Sequence, residues 1–120
     1  MRILILKATP SFSKELKLLV LKENISQDKY IESRDIFKSN PKDQRLRPHK
    51  INCTKNQNII AIDIKDTQYR ILANYKKCDE NFYLFSWIGK QLEYERIIKD
   101  KKNCKSLFVN CQDLDFFDEV

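Results

Sequence analysis

The spacing of hydrophobic positions along this chain changes from dense to helical to alternating, and each change predicts an element. Residues 2–8 (RILILKA) carry β-branched and leucine side chains almost without a break, which predicts a buried strand. Thr9-Pro10 reads as a helix start, with threonine as the cap and proline at the first helical position. Phe12, Leu16, Leu19 and Val20 fall at helical spacing and form one apolar face, while Lys14, Lys17 and Lys22 lie elsewhere on the cylinder. A second helix is predicted from Ser26, with Ile25 and Tyr30 placed as a hydrophobic staple around that cap. Ile36 and Phe37 continue its buried side, and Asn40-Pro41 ends it because the residue before proline avoids helix.

The second half alternates. Residues 42–50 (KDQRLRPHK) are polar and basic and predict a surface loop or a short edge strand. Strands are predicted at about 58–65, 68–76 and 82–88, joined by a tight turn at Asp66-Thr67 and a longer one from Lys77 to Asn81. In the first, Ile60, Ile62 and Ile64 share one face, and Ile59, Ala61 and Asp63 the other. The 82–88 strand is almost wholly apolar or aromatic, so it belongs in the middle of a sheet. Gly89 is the one glycine of the chain. A lone glycine after a bulky strand marks a backbone position that other residues cannot adopt, so a corner is predicted there. A last helix follows over about 90–102. This order predicts an α+β fold: an antiparallel sheet of four to five strands, with two N-terminal helices packed on one face.

Composition narrows the chemistry. A chain of 120 residues, 42% hydrophobic and 33% charged, predicts one soluble domain with a modest core. No apolar run is long enough to span a bilayer, and Ile3–Leu6 is too short for a signal peptide, so a cytoplasmic protein is expected. Cys53, Cys78, Cys104 and Cys111 have no Cys-x-x-Cys spacing and read as free thiols in a reducing compartment rather than zinc ligands. One glycine excludes a P-loop and a dinucleotide fingerprint, and one histidine excludes His-Glu-x-x-His. No Gly-x-Ser-x-Gly elbow exists. The net charge is +6, and it is uneven. The last eight residues (DLDFFDEV) hold four acids and no base, which leaves 23 bases against 13 acids before them. A basic body suits a phosphate-bearing partner, although lysines that only solvate the surface give the same count.

Three segments then carry a resemblance. Leu-Arg-Pro-His-Lys at 46–50, Tyr-Arg-Ile-Leu at 69–72 and Ile-Gly-Lys-Gln-Leu-Glu-Tyr-Glu-Arg at 88–96 follow a strand and a helical hairpin. In that order, over about residues 1–100, they resemble the RelE/ParE toxin superfamily. They are also similar to RelE-like regions attached to some bacterial helicases. The resemblance implies a RelE-like domain over 1–105 with a C-terminal extension at 106–120. It implies the toxin of a type II toxin–antitoxin system, with a cognate antitoxin, the ribosome and messenger RNA as partners and no membrane. Such toxins cut messenger RNA in the ribosomal decoding site with no metal and no cofactor. The 2′-hydroxyl attacks the adjacent phosphate, helped by a base, a cation and an acid.

On this resemblance Arg70 holds the scissile phosphate, a task that suits a guanidinium; the residue alone reads equally as a salt bridge on an outward strand face. His49 does acid–base work near neutral pH. Glu93 and Tyr94 serve as acid–base groups or stack on a base. Arg45, Arg47, Lys50, Lys65 and Lys90 contact RNA. Gln91 departs from the family, whose active members commonly carry histidine or arginine there; glutamine moves no proton and bears no charge. Two further readings therefore stay open: a non-catalytic ParE-like module that binds a protein such as DNA gyrase, and a plain nucleic-acid-binding domain. His49, Lys50, Arg70, Gln91 and Tyr94 are expected to gather on one basic concave surface. In the tail, 106–109 is a candidate edge strand. The stretch after it either is a solvated terminus or covers the groove through Phe116 and Phe117, with Asp113, Asp115 or Asp118 near basic residues.

Overall fold

The computed structural model describes residues 5–51, 58–77, 81–99 and 118–119. It is an α+β fold. β1 (Ile5–Ala8) leads through the cap of Thr9 into α1 (Pro10–Leu21), where the Thr9 hydroxyl accepts a hydrogen bond from the Phe12 N–H at 3.1 Å. α2 (Gln27–Ser39) starts after Ser26, whose side chain makes no capping bond, so the start rests on Ile25 and Tyr30, both buried in the core. A 3₁₀ turn (Gln44–Leu46) leads to β2 (His49–Ile51), β3 (Asn58–Asp63), β4 (Tyr69–Lys77) and β5 (Asn81–Lys90). α3 (Gln91–Lys99) follows directly. A two-residue strand, β6 (Asp118–Glu119), returns to the sheet.

The sheet order is β2-β3-β4-β5-β1-β6. β5 is central, between β4 and β1, as its apolar sequence demands. The sheet is mixed rather than antiparallel, because β1 runs parallel to β5, with Ile5 opposite Phe82 and Ala8 opposite Phe85. The hairpins β2–β3, β3–β4 and β4–β5 are antiparallel. A parallel pair needs a long connection, and everything from α1 to β4 lies between β1 and β5. The predicted edge strand at 106–109, the cysteines, Phe116 and Phe117 lie outside the described residues, as does the end of the last helix. The β6 register puts Asp118 beside Ala8.

The helices take opposite faces. α1 and α2 cover the face of Ile62, Ile64, Ile71, Ala73 and Phe85, with Leu16 and Leu19 half-buried against them. Phe12 and Phe37 flank Phe85 with ring centroids at 5.3 and 5.4 Å. α3 covers the other face, where Tyr94 packs with Ile51, Ile59, Ala61 and Leu72. A bulge in β5 decides what that second face presents: Leu72 pairs with Trp87 but Ala73 pairs with Phe85, so Ser86 is the extra residue. Trp87 and Gly89 thereby fall on the α3 side, opposite Leu72 and Arg70.

Gly89 is not a left-handed corner; it sits inside β5 and has no positive φ. Its role is close approach. A Cβ there would lie 2.5 Å from Trp87 Cζ2 and 2.9 Å from Glu93 Oε2. Glu93 can swing away, but the indole is held against the sheet. Gly89→Ala is expected to destabilise by about 1–3 kcal/mol, the usual cost of overpacking. Urea unfolding checks this, and an unchanged midpoint would show that the indole moves freely.

Tyr30 gives the fold an alkaline limit. Burial, foremost, pushes its phenol from the ordinary 10.0 to about 12; Arg34 opposes and Asp35 adds to the rise. The unfolded chain ionises first. Stability is therefore full below pH 10 and falls as pH rises toward about 12, by about 3 kcal/mol. Tyr30→Phe is expected to flatten this limb of a stability–pH curve while leaving neutral-pH stability nearly unchanged.

Candidate functional site

The α3 face carries a cluster built from four elements. β3 and β4 pair Asp63 directly with Arg70. Arg70 Nε donates to Asp63 Oδ1 at 3.0 Å, and the two side chains are 11% and 16% exposed. The Arg70 guanidinium carbon lies 4.7 Å from the Tyr94 ring centroid, a cation–π contact. Tyr94 Oη is 2.8 Å from His49 Nε2, and the two rings meet edge to face. Arg47 completes the group, its Nε 3.5 Å from Asp63 Oδ2 and its side chain 75% exposed.

The backbone before β2 sets His49. Arg47 is in the left-handed region at φ 49, and its N–H closes the 3₁₀ turn on the Gln44 carbonyl. This turns the Arg47 carbonyl to His49 Nδ1 at 3.1 Å. A carbonyl only accepts, so Nδ1 carries the proton. In neutral His49, Nε2 is then the acceptor for the Tyr94 hydroxyl. Tyr94 is buried, and that burial pushes its phenol up; the charge of Arg70 and its contact with the phenol pull it partly back. His49 is exposed. The arrangement is thus an exposed imidazole, oriented from behind by a buried phenol, beside an exposed guanidinium. With Asp63 counted, the cluster carries one net positive charge when His49 is neutral.

His49, Arg70 and Tyr94 are brought together. Lys50 is not with them. It pairs with Ile60 where His49 pairs with Ala61, so it belongs to the opposite face of the sheet. Lys90 pairs with Tyr69 and falls on that same opposite side. Arg45 is held bidentately by Asp43, at 2.8 and 3.1 Å, and Lys65 by Glu32 at 2.9 Å. Gln91 is exposed at the start of α3, its N–H bonded to the Gln68 carbonyl. Glu93 is exposed beside Gly89 and Trp87. Asp63, which links both arginines, is the member that sequence reading assigned to a strand face without a role.

No family model, no curated protein and no solved structure matches the chain. Among the described residues no helix is long and apolar enough to cross a membrane, and no three His, Cys, Asp or Glu side chains gather as a metal site.

Proposed function

We propose that this protein is an endoribonuclease that cuts messenger RNA on the ribosome without a metal, the toxin of a toxin–antitoxin pair. The observation that carries the reading is the His49–Tyr94 hydrogen bond at 2.8 Å beside Arg47 and Arg70. Single-stranded RNA can be cut by its own 2′-hydroxyl if that proton is removed and the phosphate's added charge is met. The incoming 2′-hydroxyl takes the place of Tyr94 as donor to Nε2, and the exposed imidazole accepts its proton. The 2′-oxygen bonds to phosphorus and the bond to the 5′-oxygen breaks, giving a 2′,3′-cyclic phosphate. The leaving oxygen takes a proton from solvent, since Gln91 has none to give. Arg47, the exposed cation, grips the phosphoryl oxygens. Arg70 has its Nε committed to Asp63 and its guanidinium carbon over the Tyr94 ring, so it positions the phenol rather than the phosphate.

Induced expression in a bacterial host tests this reading. Growth arrest with messages cut inside coding regions is the expected result. The exposed, uncharged Gln91 favours a second reading, a ParE-like module that binds DNA gyrase. Arrest with intact messages and blocked supercoiling would select it.

A further inference from the structure

The sheet face opposite α3 carries a second opening, which meets the first site at His49 on the sheet edge. Tyr75, Tyr83, Ile60, Pro48, Lys42 and Lys50 line a cleft of about 560 Å³. Pockets for small ligands span about 300–1,000 Å³. Tyr75 and Tyr83 are cross-strand partners with ring centroids 5.1 Å apart. Buried Phe37 meets Tyr83 edge-on at 5.0 Å, which fixes the pair from behind. Both tyrosines are half-buried. Lys42 and Lys50 are exposed, and among the described residues neither has a carboxylate within ion-pair distance; Asp43, the neighbour of Lys42, is taken by Arg45. Aromatic surface that accepts a base of any sequence, flanked by open cations, is the combination single strands bind.

The cleft also adjoins the first site. β2 is the edge strand, and His49 and Lys50 are consecutive residues directed to its two faces. Their Cα atoms are about 3.8 Å apart. A strand with a phosphate at Arg47 and His49 reaches the cleft by passing over one strand's width. We propose that the Tyr75–Tyr83 cleft is a subsite for single-stranded RNA, with a base stacked on Tyr75 and adjacent phosphates paired with Lys42 and Lys50. The proposal rests on RNA as the substrate of the His49 site and adds where the strand runs beyond the reacting phosphate.

Binding of a labelled 2′-O-methyl hexanucleotide, which cannot attack its own phosphate, tests it by fluorescence anisotropy. Tyr75→Ala is expected to weaken binding about 5- to 150-fold, the range for losing one stacked base. Tyr75→Phe keeps the stacking ring and stays within about twofold. Lys50→Gln, at an exposed position that folding does not need, flattens the plot of log affinity against log salt by about 0.7. No binding by the wild type, or wild-type affinity in Tyr75→Ala together with an unchanged salt slope in Lys50→Gln, would overturn the subsite. The two readings fail separately. Loss of binding in Tyr75→Ala by a protein that never cuts RNA keeps the cleft and removes the nuclease. Cleavage with no effect of Tyr75→Ala or Lys50→Gln on binding does the reverse.

Discussion

His49→Ala is expected to lower the rate of RNA cleavage by about 10²–10⁴-fold, the span that one positioned general base supplies. The fold should not change, because the imidazole is exposed and its partners are a carbonyl and a hydroxyl. Tyr94→Phe keeps the ring under Arg70 and removes only the bond that orients His49. That bond is worth about 1 kcal/mol in the free protein and is given up when the 2′-hydroxyl binds, so a change of about tenfold or less is expected. The order of the two losses is the informative part. A phenol that itself took the proton from RNA would make Tyr94→Phe the larger defect. Single-turnover rates on the same message decide between them, with circular dichroism to confirm that both variants fold.

Asp63→Ala is expected to destabilise the protein by about 3 kcal/mol. Arg70 is 11% exposed on its strand, and Asp63 is the carboxylate that holds it. Removing one partner of a largely buried pair leaves the other charge without compensation, at a cost of about 3–5 kcal/mol when burial is complete. The pair is slightly open to solvent, which argues for the lower end. Replacing both residues, as in Asp63→Leu with Arg70→Leu, is expected to recover much of the loss, since packed apolar side chains substitute well for a buried ion pair. Urea unfolding of the two variants checks both statements. A single variant within about 0.5 kcal/mol of the wild type would show that the pair is an ordinary surface contact.

This pair was legible in the sequence. A tight turn centred on Asp66 and Thr67 pairs 64 with 69 and therefore 63 with 70, which is the register observed. The alternation of Ile60, Ile62 and Ile64 had already put Asp63 on the other face. A salt bridge for Arg70 on an outward strand face was already one of its two readings, and only the partner, Asp63, was not named. The separation of Lys50 from His49 was legible in the same way, because neighbouring strand residues alternate faces. Reading 42–50 as either loop or edge strand left that open.

Other features had no local signal. The direction of β1 is set by its docking against β5, and no hairpin ties the two together. Ser86 as the extra residue is a property of the β4–β5 pairing, yet it decides that Trp87 and Gly89 face α3. The glycine itself was conspicuous, but its reason was not. Only the position of the Trp87 indole shows that a missing Cβ, rather than an unusual φ, is what position 89 requires. In the proposed reaction Arg47 rather than Arg70 meets the phosphate, for a related reason. Exposure separates a cation that can grip a phosphate from one that braces a neighbour, and exposure is a tertiary property.

The most direct measurement uses purified protein, ribosomes programmed with a defined message, and excess chelator added before the protein. Cuts within the coding region are expected, with fragments that end in a 2′,3′-cyclic phosphate and begin with a 5′-hydroxyl, and at most about a hundredth of that rate with the His49→Ala protein. An intact message, or fragments bearing a 3′-hydroxyl and a 5′-phosphate, would contradict it.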